Sequence, residues 1–353
     1  MFVIFSIFTP NICLLQSLKI ELFLKNRIRE KISHIIPITN SGSNRSYYRI
    51  FTATNSYILT ESEFVKENKS FIYFADLFNK SEVNVPIVIA VNEDFTIYLQ
   101  EDIGDSSLLN VLLNEGFSDY AYKLYQNSLS QLAKLQIHTK GIIDYEKCYD
   151  FQAFNNQQVL NDLFYFKDFF VERLNIPYKK SQLIAEFFQI SEKIKSFESD
   201  FFLYRDFQAR NIFIKNDCPY FIDFQGGMRG FLGYDLVSLL FQAKANLSEE
   251  WQIQLKNDYA NIFIKQDFIT AEQFEKQYNM SLILRFLQLL GAYGLRGLVE
   301  KKVHFLESII LHFNNLELLV KQNLLISYPE IDRLIKFIIS NDGKKTIEQL
   351  IKK

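Results

Sequence analysis

The chain has 353 residues, 48% of them hydrophobic, with 35 Phe and 19 Tyr, which is apolar material enough for a large core in one or two domains and excludes a disordered protein. With 39 basic against 41 acidic residues the net charge is −2, so the chain lacks the basic excess of a nucleic-acid binder. Cys13, Cys148 and Cys218 form no CxxC pair and the four histidines are scattered; this reads as free thiols in a reducing cytosol, with no zinc site.

The first 18 residues, "MFVIFSIFTPNICLLQSL", are apolar and uncharged, but Pro10, Asn11 and Gln16 interrupt them and no basic n-region precedes them. A docked leader, or an upstream extension outside the core fold, is expected rather than a signal peptide or a stable membrane insertion. Residues 19–34 look helical. "SGSNRSYYRIFTATNSYILT" (41–60) reads as a Gly/Ser turn between β-rich runs, a hairpin. Residues 62–79 follow as an amphipathic helix with Glu67, Phe71, Phe74 and Phe78 on one stripe. "PIVIAV" (86–91) and "FTIYLQ" (95–100) read as a second strand pair, and at the polar stretch "EDIGDSS" (101–107) strands give way to helices. Helical patterns then occupy 118–139, 151–172, 181–197 and the region from about 234 to the end, broken only by short strand signals at 201–204, 211–215 and 220–224. The expected fold class is α+β and two-lobed: a leader and helix (1–34), a small β-rich N-lobe (35–105) and a large, mainly helical C-lobe (106–353).

The strand-rich insertion carries the chemistry. Asp206 and Asn211 are five positions apart, close enough for one loop to turn both side chains into one pocket. Asp223 ends the run "YFID"; if that run pairs with "NIFI" as a hairpin, Asn211 and Asp223 come to the same end. Such oxygen donors suit Mg²⁺ and not zinc, and an Asp beside them without a metal role can take a proton from a hydroxyl. Taken singly, these three are a turn residue, a cap and a strand end; it is their order and spacing together that point to a site.

"YRDFQARN" followed by "IDFQ" resembles the catalytic loop and metal-binding segment of the aminoglycoside phosphotransferase and choline kinase families, which share the protein-kinase-like fold. The resemblance implies ATP and Mg²⁺ as cofactors, Asp206 as the catalytic residue, and Asn211 and Asp223 as metal ligands. Tyr204 stands where the family usually has His, and Gln225 where protein kinases have Gly. "GYDLVSLL" (233–240) resembles the segment whose Asp braces the catalytic loop, which gives Asp235 a structural role. "SGSNRSYYRI" (41–50) resembles the phosphate-covering turn, making Ser43, Asn44 and Arg45 candidate nucleotide contacts. Glu67 takes the place of the helix Glu that pairs with a strand Lys; "SYILT" (56–60) has no Lys, and Arg45 or Arg49 is the candidate replacement.

"RSYYRI", "QEDIGD" and above all "RDFQARN…IDFQGGMRGFLGYDLVSLL" look most like the bacterial kinases that phosphorylate N-acetylmuramate or N-acetylglucosamine at the anomeric hydroxyl in cell-wall recycling. The resemblance thus implies a cytoplasmic small-molecule kinase whose substrate is a sugar, with Arg229 as a substrate contact. The alternatives are a kinase for an aminoglycoside, choline or a related amine, and a catalytically dead kinase-like binding protein. "GGMRGF" after the motif, rather than an acidic cluster, favours a neutral or anionic acceptor.

Overall fold

The computed structural model describes residues 13–38 and 45–351. Strands β1 (His34–Ile38), β2 (Ser46–Phe51), β3 (Ser56–Glu61), β4 (Val88–Val91) and β5 (Ile97–Glu101) form an antiparallel sheet in the order β1-β2-β3-β5-β4. Because side chains alternate across a strand, Ile50, Leu59, Ile97 and Leu99 gather on one face, where they pack against Ile20, Phe23 and Leu24 of the helix Cys13–Lys25. On the other face Tyr98 stacks on Phe71 of the helix Val65–Lys80.

The N-terminal reading needs correction. The helix expected at 19–34 runs over Cys13–Lys25, and the chain from His34 is a strand, with Ile35 paired to Ile50. Pro37 obscured that strand, but it is tolerated because β1 lies at the sheet edge, where a missing N–H costs no ladder bond. The helix also packs into the core of the small lobe. Residues 1–12 of the apolar leader, and the candidates Ser43 and Asn44, lie outside the described residues.

The helix Val65–Lys80 carries the expected aromatic stripe and uses it to meet the larger lobe: Phe71 stacks on Phe224 at 4.7 Å and Phe78 meets Phe202 edge-on at 5.0 Å. Arg49 of β2 pairs with Asp102 at 2.8 Å and Asp105 at 2.7 Å, fastening the crossover that leads into the helix Leu108–Glu115.

The rest is mostly helical. The helix expected at 151–172 is Asn156–Phe166 continued by a wide turn over Lys167–Val171. Two small antiparallel ribbons interrupt the helices: β6 (Phe201–Leu203) with β9 (Met228–Gly230), and β7 (Ile212–Lys215) with β8 (Cys218–Phe221). β9 has only three residues and follows a glycine pair, so it carried no strand signal. The segment Ala271–Val299 is long and apolar enough to cross a membrane, but 67% of its most apolar window is buried inside the protein.

Candidate active site

β6 delivers the chain to Tyr204, and the loop that follows is held from behind. The backbone N–H groups of Tyr204 and Arg205 donate to the two carboxylate oxygens of Asp235 at 2.7 and 3.0 Å. Asp235 is buried in the first turn of the helix Tyr234–Leu240, as a brace should be, and burial pushes its carboxyl up to about 7. Arg205 has a left-handed backbone, φ +76°, which a long side chain adopts only when its surroundings compel it. They do so here: its guanidinium grips both oxygens of the buried Asp162 at 2.8 and 3.0 Å and reaches the Tyr234 hydroxyl at 3.2 Å.

Asp206 projects from this anchored loop with 52% of its side chain exposed, and it meets Arg285 at 3.3 Å. Packing around the loop pushes its carboxyl up, but the guanidiniums of Arg285, Arg210 and Arg205 outweigh that and hold it below the ordinary value. Asp206 is therefore a carboxylate at neutral pH, in reach of solvent and fixed in direction.

β7 and β8 pair with Ile212 opposite Phe221, joined by a turn in which Asn216 and Asp217 both have positive φ, as a two-residue hairpin requires. The pairing brings Asn211 and Asp223 to the same end. The Asn211 amide donates to the Asp206 carbonyl at 3.0 Å and to Asp223 Oδ2 at 3.2 Å, and none of the described residues donates to its own oxygen. Asn211 thus touches the Asp223 carboxylate and the backbone of Asp206, and the Asp206 charge acts on Asp223. Burial first, then the Asp206 charge, raises the Asp223 carboxyl above its usual range. The Asp223 carboxylate, with the Asn211 amide oxygen left open beside it, forms a pair of oxygen donors that a small hard cation fits. Among the described residues no three Asp, Glu, His or Cys side chains group as a metal cluster.

Tyr204, which stands where the family usually has His, ties two segments of the site together. Its hydroxyl donates to the carbonyl of Ile222, which ties the start of the catalytic loop to the segment that carries Asp223.

Across the cleft, Arg45 Nη2 pairs with Glu67 Oε1 at 3.0 Å, with the Arg45 side chain almost wholly buried. Of the two arginines considered as replacements for the strand Lys, Arg45 thus partners the helix Glu, and Arg49 serves the crossover. Arg229 stands apart from this network. It sits on β9 over the Tyr145 ring, 5.9 Å from its centre, and its backbone pairs with the segment Gln152–Phe154. The neighbouring Gly227 serves packing, since a Cβ there would come within 2.0 Å of the Phe202 ring.

Asp162 and Arg285 were missed from sequence. Each is a charge inside an otherwise apolar helical run, "VLNDLFYF" and "SLILRFLQLL", and a buried charge in such a run needs a partner. That was the available signal, but it does not name the partner. A hollow of about 330 Å³ elsewhere, between the helices Glu249–Ile264 and Ala271–Tyr293, contains none of these residues.

Comparison with known proteins identifies the family and the fold. A family model described as Phosphotransferase enzyme family matches residues 34–268. An N-acetylmuramate/N-acetylglucosamine kinase of Pseudomonas aeruginosa is 23% identical over 343 residues, covering 93% of this chain and 95% of that protein. A protein of the same name from Neisseria meningitidis serogroup B is 23% identical over 222 residues, covering 60% of this chain and 63% of its own length. Among solved structures, spectinomycin phosphotransferase in complex with ADP and spectinomycin superposes with a TM-score of 0.56 at 16% identity, over 84% of this chain and 93% of that one. The chain belongs to the phosphotransferase enzyme family and is a small-molecule kinase with the protein-kinase-like fold.

Proposed function

We propose that this member of the phosphotransferase enzyme family is a cytoplasmic, ATP- and Mg²⁺-dependent kinase that phosphorylates the anomeric hydroxyl of an N-acetylated amino sugar. The relatives' names and the quoted segment likeness support the substrate class, and the nucleotide in the spectinomycin phosphotransferase complex supports a purine nucleotide as donor.

The observation that carries the reading is the setting of Asp206. A carboxylate held down by Arg285, Arg210 and Arg205 is a weak base, and a weak base serves best where the proton it takes is already acidic. An anomeric hydroxyl is more acidic than an ordinary alcohol.

In this reading Asp206 orients the acceptor hydroxyl and accepts its proton as the phosphoryl group moves. Asn211 and Asp223 would hold Mg²⁺, and Arg45, with Ser43 and Asn44 just before it in sequence, would contact the nucleotide's phosphates. Glu67 fixes the direction of Arg45. When bound, the metal neutralises phosphate charge, and the chain's own contribution is positioning and electrostatics. Arg229 would contact an acceptor that extends to the 145–154 segment.

The test compares N-acetylglucosamine and N-acetylmuramate with their alditols, following products by phosphorus NMR. The reducing sugars should yield a sugar 1-phosphate, and the alditols, which lack the anomeric centre, should not react. Phosphorylation of the alditols, or activity only on aminoglycosides or choline, would remove the anomeric reading.

A further inference from the structure

Gln225 occupies the position where protein kinases carry a glycine, and its large side chain lies at the point where the two lobes meet, with the residue only 8% exposed. Its amide nitrogen donates to Asp223 Oδ1 at 2.8 Å and to Glu67 Oε1 at 3.3 Å. An amide NH₂ has two hydrogens, so each carboxylate takes one. The amide oxygen is buried and has no partner among the described residues. The opposite orientation would turn that oxygen onto two carboxylates, so the bonds fix the side chain one way round. Leaving a buried carbonyl oxygen unpaired is unfavourable, which indicates that the residue is present for its two donors.

The contact is also a link in a longer chain. The Glu67 oxygen that accepts from Gln225 is the one paired with Arg45 at 3.0 Å. Arg45 immediately precedes β2, Glu67 lies in the first turn of the helix Val65–Lys80, and Asp223 follows the β7–β8 hairpin. Phe71, one turn on from Glu67, stacks on Phe224 between Asp223 and Gln225. One side chain thus connects the small lobe's buried ion pair to the proposed metal carboxylate of the large lobe, and a glycine could make none of these contacts.

We infer that Gln225 is a positioning residue that couples the Arg45–Glu67 pair to Asp223, so that the metal carboxylate is correctly aimed only when the small lobe's helix is docked. This rests on the kinase reading above. Partners that orient a metal-binding side chain are commonly worth about 10–100-fold in metal affinity.

The experiment measures binding of a non-hydrolysable ATP analogue by calorimetry across a Mg²⁺ titration, for the wild type, Gln225→Leu, Glu67→Ala and the double variant, with thermal unfolding alongside. Gln225→Leu should raise half-saturating Mg²⁺ by about 10-fold or more, while affinity for the metal-free analogue changes far less. Glu67→Ala should raise it when made alone and have little further effect when added to Gln225→Leu. If Gln225→Leu does not fold, Gln225→Met, unbranched and closer in shape, takes its place. Unchanged Mg²⁺ dependence in a folded Gln225 variant, or fully additive effects in the double variant, overturns the inference. A wild type that shows no Mg²⁺-dependent nucleotide binding overturns the kinase reading instead.

Discussion

The two acidic ends of the site are held in different ways. Asp206 belongs to the large lobe alone: its loop hangs from Asp235, its neighbour Arg205 is locked to Asp162, and Arg285 meets its carboxylate. Asp223 is held from both lobes, by Asn211 on one side and by Gln225, which reaches Glu67, on the other. Burial raises both carboxyls, but neighbouring guanidiniums hold Asp206 below its ordinary range while Asp223 stays above it. The end assigned to proton transfer is rigid and charged in advance, whereas the end assigned to the metal depends on how the lobes meet.

Breaking the first end chemically should give the largest effect. Asp206→Asn keeps the shape of a half-exposed side chain and removes the base, so turnover should fall by about 10²–10⁴ with little change in melting temperature. Steady-state kinetics beside a thermal melt checks this; near-normal kcat in a folded variant would contradict the assignment. Breaking the support beneath it should show in stability. Asp162→Ala leaves the Arg205 guanidinium buried without its carboxylate partner, at a cost of about 3–5 kcal/mol in urea unfolding. Glu67→Ala on the other side likewise leaves the almost wholly buried Arg45 without its carboxylate, though with its hydrogen bond to Tyr47, and should destabilise by up to a similar amount.

The proximity of Asp206, Asn211 and Asp223 was legible in sequence because each flanks a short apolar run, and a hairpin between two such runs has only one way to bring its ends together. The helix Val65–Lys80 was legible from its Phe stripe. Arg285, Asp162 and the choice of Arg45 over Arg49 as partner to Glu67 were not, because sequence shows a charge in an apolar segment without showing which distant element supplies its partner. The strand β1 was hidden by Pro37, whose tolerance depends on an edge position that exists only once the sheet is assembled.

A smaller effect concerns the ground beneath the rigid end. His312 is fully buried, shares a hydrogen bond with the Phe286 carbonyl at 3.2 Å and is paired with Asn315 at 3.1 Å. Burial lowers its pKa from 6.5 to about 4. The unfolded chain therefore binds more protons across that window, and the stability this group contributes is complete above about 6.5 and lost as pH falls toward 4. Denaturant unfolding between those pH values should weaken by about 3 kcal/mol from this residue, and His312→Gln should flatten the slope.

The smallest effect is a shift in a pH profile. Arg285 is the strongest of the charges that lower Asp206, so Arg285→Met should let the Asp206 pKa rise. The acid limb of kcat/KM should then move to higher pH, and the variant should lose more activity at pH 6 than at pH 8. An unmoved acid limb would mean that Arg285 supports the fold without tuning the base.

The division between the two ends is tested most directly by titrating a non-hydrolysable ATP analogue with Mg²⁺ into Asp206→Asn and Asp223→Ala under identical conditions. The account predicts near-wild-type, Mg²⁺-dependent binding for Asp206→Asn and loss of the Mg²⁺-dependent component for Asp223→Ala. Equal affinity in Asp223→Ala and the wild type, or equal loss in both variants, would contradict it.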